Sequence, residues 1–287
     1  MFEEGNVAIV FALSAALAYG SADFVGGLAS RRTSPLAVAF GTQVGGLVLL
    51  LTALPILAGR SPAPRELLFG AVAGLFGGVG LVVLYRALAR GPMSIVAPTT
   101  AISASLVPIV AGLASGERPG PVTFAGIVVS LIAVALITRE PVTGSVPRGT
   151  GRGVIALALA AGSIFGLFFV LLHQAGSDAG LWPLVGARLV SVPLLFVLAH
   201  RQAVALEWTS ANALRSVLVS GALDMGANIL YLVAIQHGML TVVAAIVGLY
   251  PAATVLFAQV RLDERLARPQ IAGLGSAALA ALLVAVS

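Results

Sequence analysis

The sequence predicts an all-α polytopic membrane protein of ten transmembrane helices, arranged as two inverted five-helix repeats. Three observations lead there. Of the 287 residues 59% are apolar and only 9% are charged, against about a quarter charged in a typical soluble domain. Apolar runs near the ~20 residues a helix needs to cross the hydrocarbon core recur along the whole length. A skeleton of two apolar segments, a short acidic-basic break and a third apolar segment occurs twice, in 85–126 and again in 231–273.

The spans expected are Val7–Ala29, Leu36–Ala58, Leu67–Leu88, Ser94–Ser115 and Pro121–Thr138, then Val154–Gln174, Leu181–Ala199, Leu214–Gln236, Thr241–Val260 and Pro269–Val286. Arg, Pro, Gly and Ser fill the links between them. The longest polar link runs from Arg139 to Gly153. It divides the chain into a first repeat over 1–140, a linker over 141–153 and a second repeat over 154–287. Barrel strands would alternate apolar and polar, whereas these runs are continuously apolar. The N-terminus carries Glu3 and Glu4 and lacks the basic start of a cleavable signal, so the first run is expected to be a retained span.

The repeat is legible in single residues. Tyr85 stands opposite Tyr231, Met93 opposite Met239 and Tyr19-Gly20 opposite Phe165-Gly166, each at an offset of 146. After one inserted residue, Glu117-Arg118 stands opposite Glu264-Arg265 and Ala125-Gly126 opposite Ala272-Gly273, at an offset of 147. Five spans per copy is an odd number, so the second copy enters the membrane from the opposite side. Arginines orient the chain. Twelve fall in loops on one side (31, 32, 86, 90, 139, 148, 152, 201, 215, 261, 265 and 268), three on the other (60, 65 and 118), and Arg188 lies within a span. The positive-inside rule puts the twelve in the cytoplasm and both termini on the outer, periplasmic side of a bacterial-type inner (plasma) membrane.

Composition excludes several chemistries. There is no cysteine, and all sixteen basic residues are arginine. A Walker A loop and a Schiff-base lysine are therefore impossible. The net charge of +5 resides in short loops, as membrane topology requires, so no nucleic-acid partner is expected. The run from Gly74 to Gly80 has no preceding strand and reads as close helix packing, as does the pair Gly41 and Gly45. Pro98, Pro108, Pro193 and Pro251 fall inside spans, where each frees a backbone carbonyl. His173, His200 and His237 fall near span ends, and Trp182 opens a span as an interfacial anchor. Two membrane aspartates could serve an intramembrane protease, but the glycine expected directly before each is absent; no enzyme and no cofactor are expected.

Ionisable groups inside spans are costly and need partners. Asp23, Arg188 and Asp224 are the three. Arg188 and Asp224 come to similar depths on consecutive spans. They can pair, or Asp224 can bind a proton or an amine and Arg188 a carboxylate. Asp224, Asn228 and Tyr231 share one helix face, as do Tyr19 and Asp23, and Phe165, Phe168 and Phe169 make another. A polar face must look into the bundle or a water-filled cavity. Asp23, near a span end, can equally be a snorkelling or capping residue.

Two five-helix repeats, with Gly116-Glu117-Arg118 and Asp263-Glu264-Arg265 before the last span of each and Leu249-Tyr250-Pro251 in the ninth, resemble the EamA family of the drug/metabolite transporter superfamily over essentially the whole chain. In length and span count the chain is similar to the YddG-type aromatic amino-acid exporters within it. The resemblance implies a secondary transporter that exports small metabolites, amino acids and aromatic ones foremost, by alternating access through a central cavity. Uptake, or export of other metabolites or drug-like cations, is the alternative. Tyr19, Tyr85, Phe165, Phe169, Arg188, Asp224, Asn228, Tyr231 and Tyr250 are the candidate substrate-binding residues, with no metal. The partners implied are a small-molecule substrate, membrane lipid and coupling protons, and the working unit expected is a monomer. The family's early second-span arginine is present as Arg188 but replaced by Gly41-Thr42 in the first half, which implies an asymmetric site.

Overall fold

A computed structural model describes residues 2–57, 61–137, 151–206, 211–262 and 268–286. The Asp263-Glu264-Arg265 break, most of the 141–153 linker, and Arg60, Arg139, Arg148 and Arg265 lie outside the described residues. The first half forms α1 (Phe2–Ser30), α2 (Pro35–Leu57), α3 (Pro64–Arg90), α4 (Met93–Ala114) and α5 (Pro121–Ile137). The second forms α6 (Arg152–Gln174), α7 (Trp182–Arg201), α8 (Ala211–His237), α9 (Leu240–Val247), α10 (Tyr250–Leu262) and α11 (Arg268–Ala285). Eight of these are long and apolar enough to cross a membrane, and Pro121–Ile137 and Leu240–Thr254 are shorter apolar helical stretches. Large apolar side chains face outward from the bundle, among them Val10, Leu17, Val48, Leu51 and Leu189. Lipid is the solvent such a surface fits.

The ninth span departs from the single helix expected over Thr241–Val260. It breaks at Gly248-Leu249 into α9 and α10. Pro251 has no N–H to donate to the Val247 carbonyl. The chain tightens instead, with Leu249 N–H donating to Ile246 O and Ala252 N–H to Leu249 O, both over three residues. Pro98 and Pro108 leave α4 continuous.

The helix starts refine the repeat. Pro35 and Trp182, Pro64 and Ala211, Met93 and Leu240, and Pro121 and Arg268 all stand 147 residues apart. The inserted residue therefore precedes α2 and α7, whereas the tyrosine and methionine matches put it after Met93. In the structural register Tyr231 corresponds to Leu84, and Tyr85 to Leu232.

The halves are not side by side. The most extensive packing joins α1 to α8, α3 to α7, α5 to α11, α3 to α6, α4 to α6 and α2 to α8, every pair drawn from both halves. Exchange of the halves converts α1–α8 into α6–α3 and α2–α8 into α7–α3, as an approximate twofold axis requires. Glycine permits these approaches. A methyl group on Gly74 would meet Ala187 Cα at 2.8 Å, on Gly78 Ser191 Cβ at 3.3 Å, and on Gly77 the Phe168 ring at 3.1 Å. So α3 uses one glycine face toward α7 and another toward α6. On the symmetry-related side a methyl on Gly221 would lie 2.9 Å from Gly46 N and 3.0 Å from Gly45 Cα, in the backbone of α2.

Backbone cannot step aside as a side chain can. Gly221→Leu is expected to cost about 1–3 kcal/mol or more and to lower the melting temperature in detergent. Gly275→Leu, at a position with nothing within 4 Å, is expected to leave the melt unchanged.

Candidate functional site

A cavity of about 550 Å³ lies between α1, α3, α4, α6, α8, α9 and the start of α10. A smaller chamber of about 300 Å³ adjoins it, sharing Tyr19, Leu81, Phe165, Phe169 and Asp224. The cavity has two chemically different walls. Tyr19 and Asp23 from α1 and Asp224 and Tyr231 from α8 form the first; Leu81 and Leu84 from α3 and Phe165 and Phe169 from α6 form the second. The walls are equivalent under the repeat. Tyr19 and Asp23 correspond to Phe165 and Phe169 at an offset of 146. Asp224, Asn228 and Tyr231 correspond to Gly77, Leu81 and Leu84 at 147. One helix pair has polar residues where its partner pair has apolar ones.

The polar wall is cross-linked. Asp224 Oδ2 accepts from Arg188 Nη2 at 3.0 Å, and Asn228 Nδ2 donates to the Asp224 carbonyl at 2.7 Å and to its carboxylate at 3.3 Å. Tyr19 Oη donates to Asn228 Oδ1 at 3.1 Å. Arg188 Nη1 also donates to Gln43 Oε1, which accepts from Ser191 Oγ at 2.9 Å. Two hydrogen-bond donations from Arg188 are thus committed to protein partners, and its side chain is 6% exposed. Asp23 has no hydrogen-bond or ion-pair partner among the described residues. The buried Tyr231 hydroxyl has none either. Tyr19, Phe169 and Tyr231 pack in sequence, the first pair edge-on with centroids 5.9 Å apart and the second tilted at 4.4 Å.

Of the nine candidates, Tyr19, Phe165, Phe169, Asp224, Tyr231 and Tyr250 line the main cavity, and Arg188 and Asn228 line the smaller chamber. Tyr85 lines neither. It is 1% exposed, and its hydroxyl sits 3.4 Å from Thr42 Oγ1 and 3.2 Å from Ser220 Oγ as a knot between α2, α3 and α8. The one-residue register difference is the reason, because it turns Tyr85 roughly 100° from the face Tyr231 occupies. Phe168 belongs to the smaller chamber and packs on α3. Gln43, Ser105, Val247 and Gly248 carry no signal in the sequence that would single them out. Gly248 reaches the cavity because the α9–α10 break lies beside it, and Tyr250, just after the break, donates to Ala97 O at 3.1 Å.

A bundle of this kind, with a central cavity between two interlocked halves, defines a membrane carrier fold. The model of the EamA-like transporter family matches residues 6–139 and again 152–286, and the chain belongs to that family: it is a multi-pass membrane transporter and not an enzyme. No curated protein matches it. A solved structure titled only "Crystal structure of protein" is similar in fold, with a TM-score of 0.72, 17% identity, and coverage of 96% of this chain and 95% of that one.

The Arg188–Asp224 pair generates a test by double-mutant cycle. Arg188→Leu alone leaves a buried carboxylate uncompensated and is expected to destabilise the protein by about 3–5 kcal/mol. Arg188→Leu with Asp224→Leu is expected to recover most of that loss in detergent unfolding.

Proposed function

We propose that this chain is a secondary transporter that exports small amphipathic metabolites bearing an amino group, amino acids with apolar side chains among them, by alternating access. One observation carries the reading: the cavity sets an acidic wall on α1 and α8 against an aromatic, apolar wall on α3 and α6. A protonated amine would find Asp23 on the first wall, and a ring or alkyl body would lie against Phe165, Phe169 and Leu81 on the second. With no lysine in the chain there is no Walker A loop, so a solute or proton gradient supplies the energy, with Asp224 as the coupling carboxylate. The arginine distribution supports termini on the outer side, and a cavity lined by residues of one chain from both halves supports a monomer as the working unit.

A second reading, a carrier of amines lacking a carboxylate, is favoured by the state of Arg188. Its guanidinium is tied to Asp224 and Gln43 and does not offer a free cation to a substrate carboxylate. With Asp23 and Asp224 ionised, the site retains one net negative charge. Counterflow into proteoliposomes separates the two. Labelled phenylalanine, phenethylamine and glucose would be offered in turn, with and without a pH gradient.

Accumulation of phenylalanine supports amino acids, accumulation of phenethylamine alone supports the second reading, and accumulation of glucose alone would sink both. Asp23→Asn is expected to lower amine counterflow about tenfold or more, the cost of one charge-assisted contact. Asp224→Asn is expected to abolish any effect of pH.

A further inference from the structure

α9 begins against the other half of the molecule. Its first two amides, those of Leu240 and Thr241, have no partner within their own helix. Both donate to Glu117, Leu240 N to Oε1 at 2.7 Å and Thr241 N to Oε2 at 2.9 Å. Glu117 belongs to the α4–α5 turn of the first half. It therefore caps a helix of the second half from 123 residues away.

The turn is shaped for this. α4 closes with Glu117 N–H donating to Gly112 O at 3.0 Å and Gly116 N–H to Leu113 O at 3.2 Å. Gly116 has φ +101°, the left-handed conformation that closes a helix in this manner. The following residue is thereby turned toward α9. Gly112 keeps the space open: a methyl there would lie 3.0 Å from Glu117 Cδ and 2.8 Å from Thr241 Cγ2. The Gly-Glu of the acidic-basic break thus has a physical role in the first half, with the glycine ending α4 and the glutamate reaching across.

What Glu117 holds matters to the cavity. α9 is a rod of eight residues, all of them buried, about 12 Å long. Its far end, Ala244 and Val247, lines the cavity, and the break at Gly248-Leu249 follows at once. Between the capped end and the cavity, Leu240 and Val243 pack into an apolar cluster with Leu172, Leu181 and Leu184. That cluster fills the bundle on the Glu117 side.

We propose that Glu117 is a latch between the two halves. Its carboxylate fixes the N-terminus of α9 against the α4–α5 turn and so holds the apolar plug closed at that end. It releases when the cavity opens there, α9 pivoting on α10 at Gly248-Leu249. This rests on the alternating-access reading. Glu117 positions a helix; it does not touch substrate.

The chain contains no cysteine, so single cysteines can be introduced directly. Ala104→Cys reports on the cavity, which Ala104 lines while only 5% exposed. Ser115→Cys, on the exposed α4–α5 turn, marks the Glu117 face of sealed vesicles. A membrane-impermeant maleimide would be applied from each face in turn, with no substrate present. Glu117→Gln in the Ala104→Cys background is expected to raise labelling from the Glu117 face about tenfold, as loss of a charge-assisted cap predicts, and to lower labelling from the opposite face. Glu117→Asp, charged but one methylene short of both amides, should give a smaller change in the same directions. Arg118→Gln should match the parent. Unchanged rates in Glu117→Gln, or a rise from both faces, would overturn the latch, since mere loosening exposes the cavity to both sides. The labelling needs no substrate, so a failed counterflow assay and a failed latch are separate outcomes.

Discussion

Close approach of helices from opposite halves is the interaction on which the rest of this structure depends. In a bilayer, apolar side chains gain little by leaving lipid for protein, so association rests on packing and on hydrogen bonds across helices. Gly74 and Gly78 bring α3 onto α7, and Gly221 brings α8 onto α2 at backbone contact. The first half therefore cannot complete its own interior. α1 finds its main surface on α8, and α6 finds its own on α3 and α4.

That interlocking places the chemistry. Because α1 packs on α8 and α6 on α3, the central cavity has one wall from each pair. The repeat makes the walls equivalent in position, and divergence makes them opposite in character. Asp23, Asp224 and Tyr231 stand on one, and Phe165, Phe169 and Leu84 on the other. An ion pair that would be expensive in lipid is tolerable here, since Asp224 accepts from Arg188 and Asn228 and Arg188 also donates to Gln43, with Arg188 Nε alone of its nitrogens left without a partner. Asp23 is left lining the cavity, the one carboxylate of the polar wall that no described residue partners.

The ninth span is the mechanical exception. Gly248 and Pro251 divide it, so that α10 packs on α1, where Thr254 Oγ1 donates to Gly20 O at 3.2 Å, while α9 packs on α4 and is capped by Glu117. Two short pieces with separate anchors can move independently in a way one long helix cannot. The corresponding α4 carries prolines but no break, so the two halves differ in stiffness as well as in polarity.

The sequence by itself determined the membrane class, the helical content, the repetition and the similar depth of Arg188 and Asp224, and the structure closed the pair between them. Each follows from local quantities: the length of an apolar run, the spacing of like residues, and the depth of a charge along a helix of fixed rise. It also placed Asp224, Asn228 and Tyr231 on one face that had to avoid lipid, and Phe165 and Phe169 on one aromatic face. Only the tertiary structure decided which of those faces look into one cavity. Tyr85 shows why: matched to Tyr231 by residue type, it is one residue out of register, and one residue on a helix is a turn of about 100°. Gln43 and Gly248 were beyond reach of the sequence, and so was the partner of Glu117, although the repeated break that carries Glu117 was legible. Each acts through a partner more than a hundred residues away or through a break in the backbone, and neither kind of contact is written in the local spacing of residues.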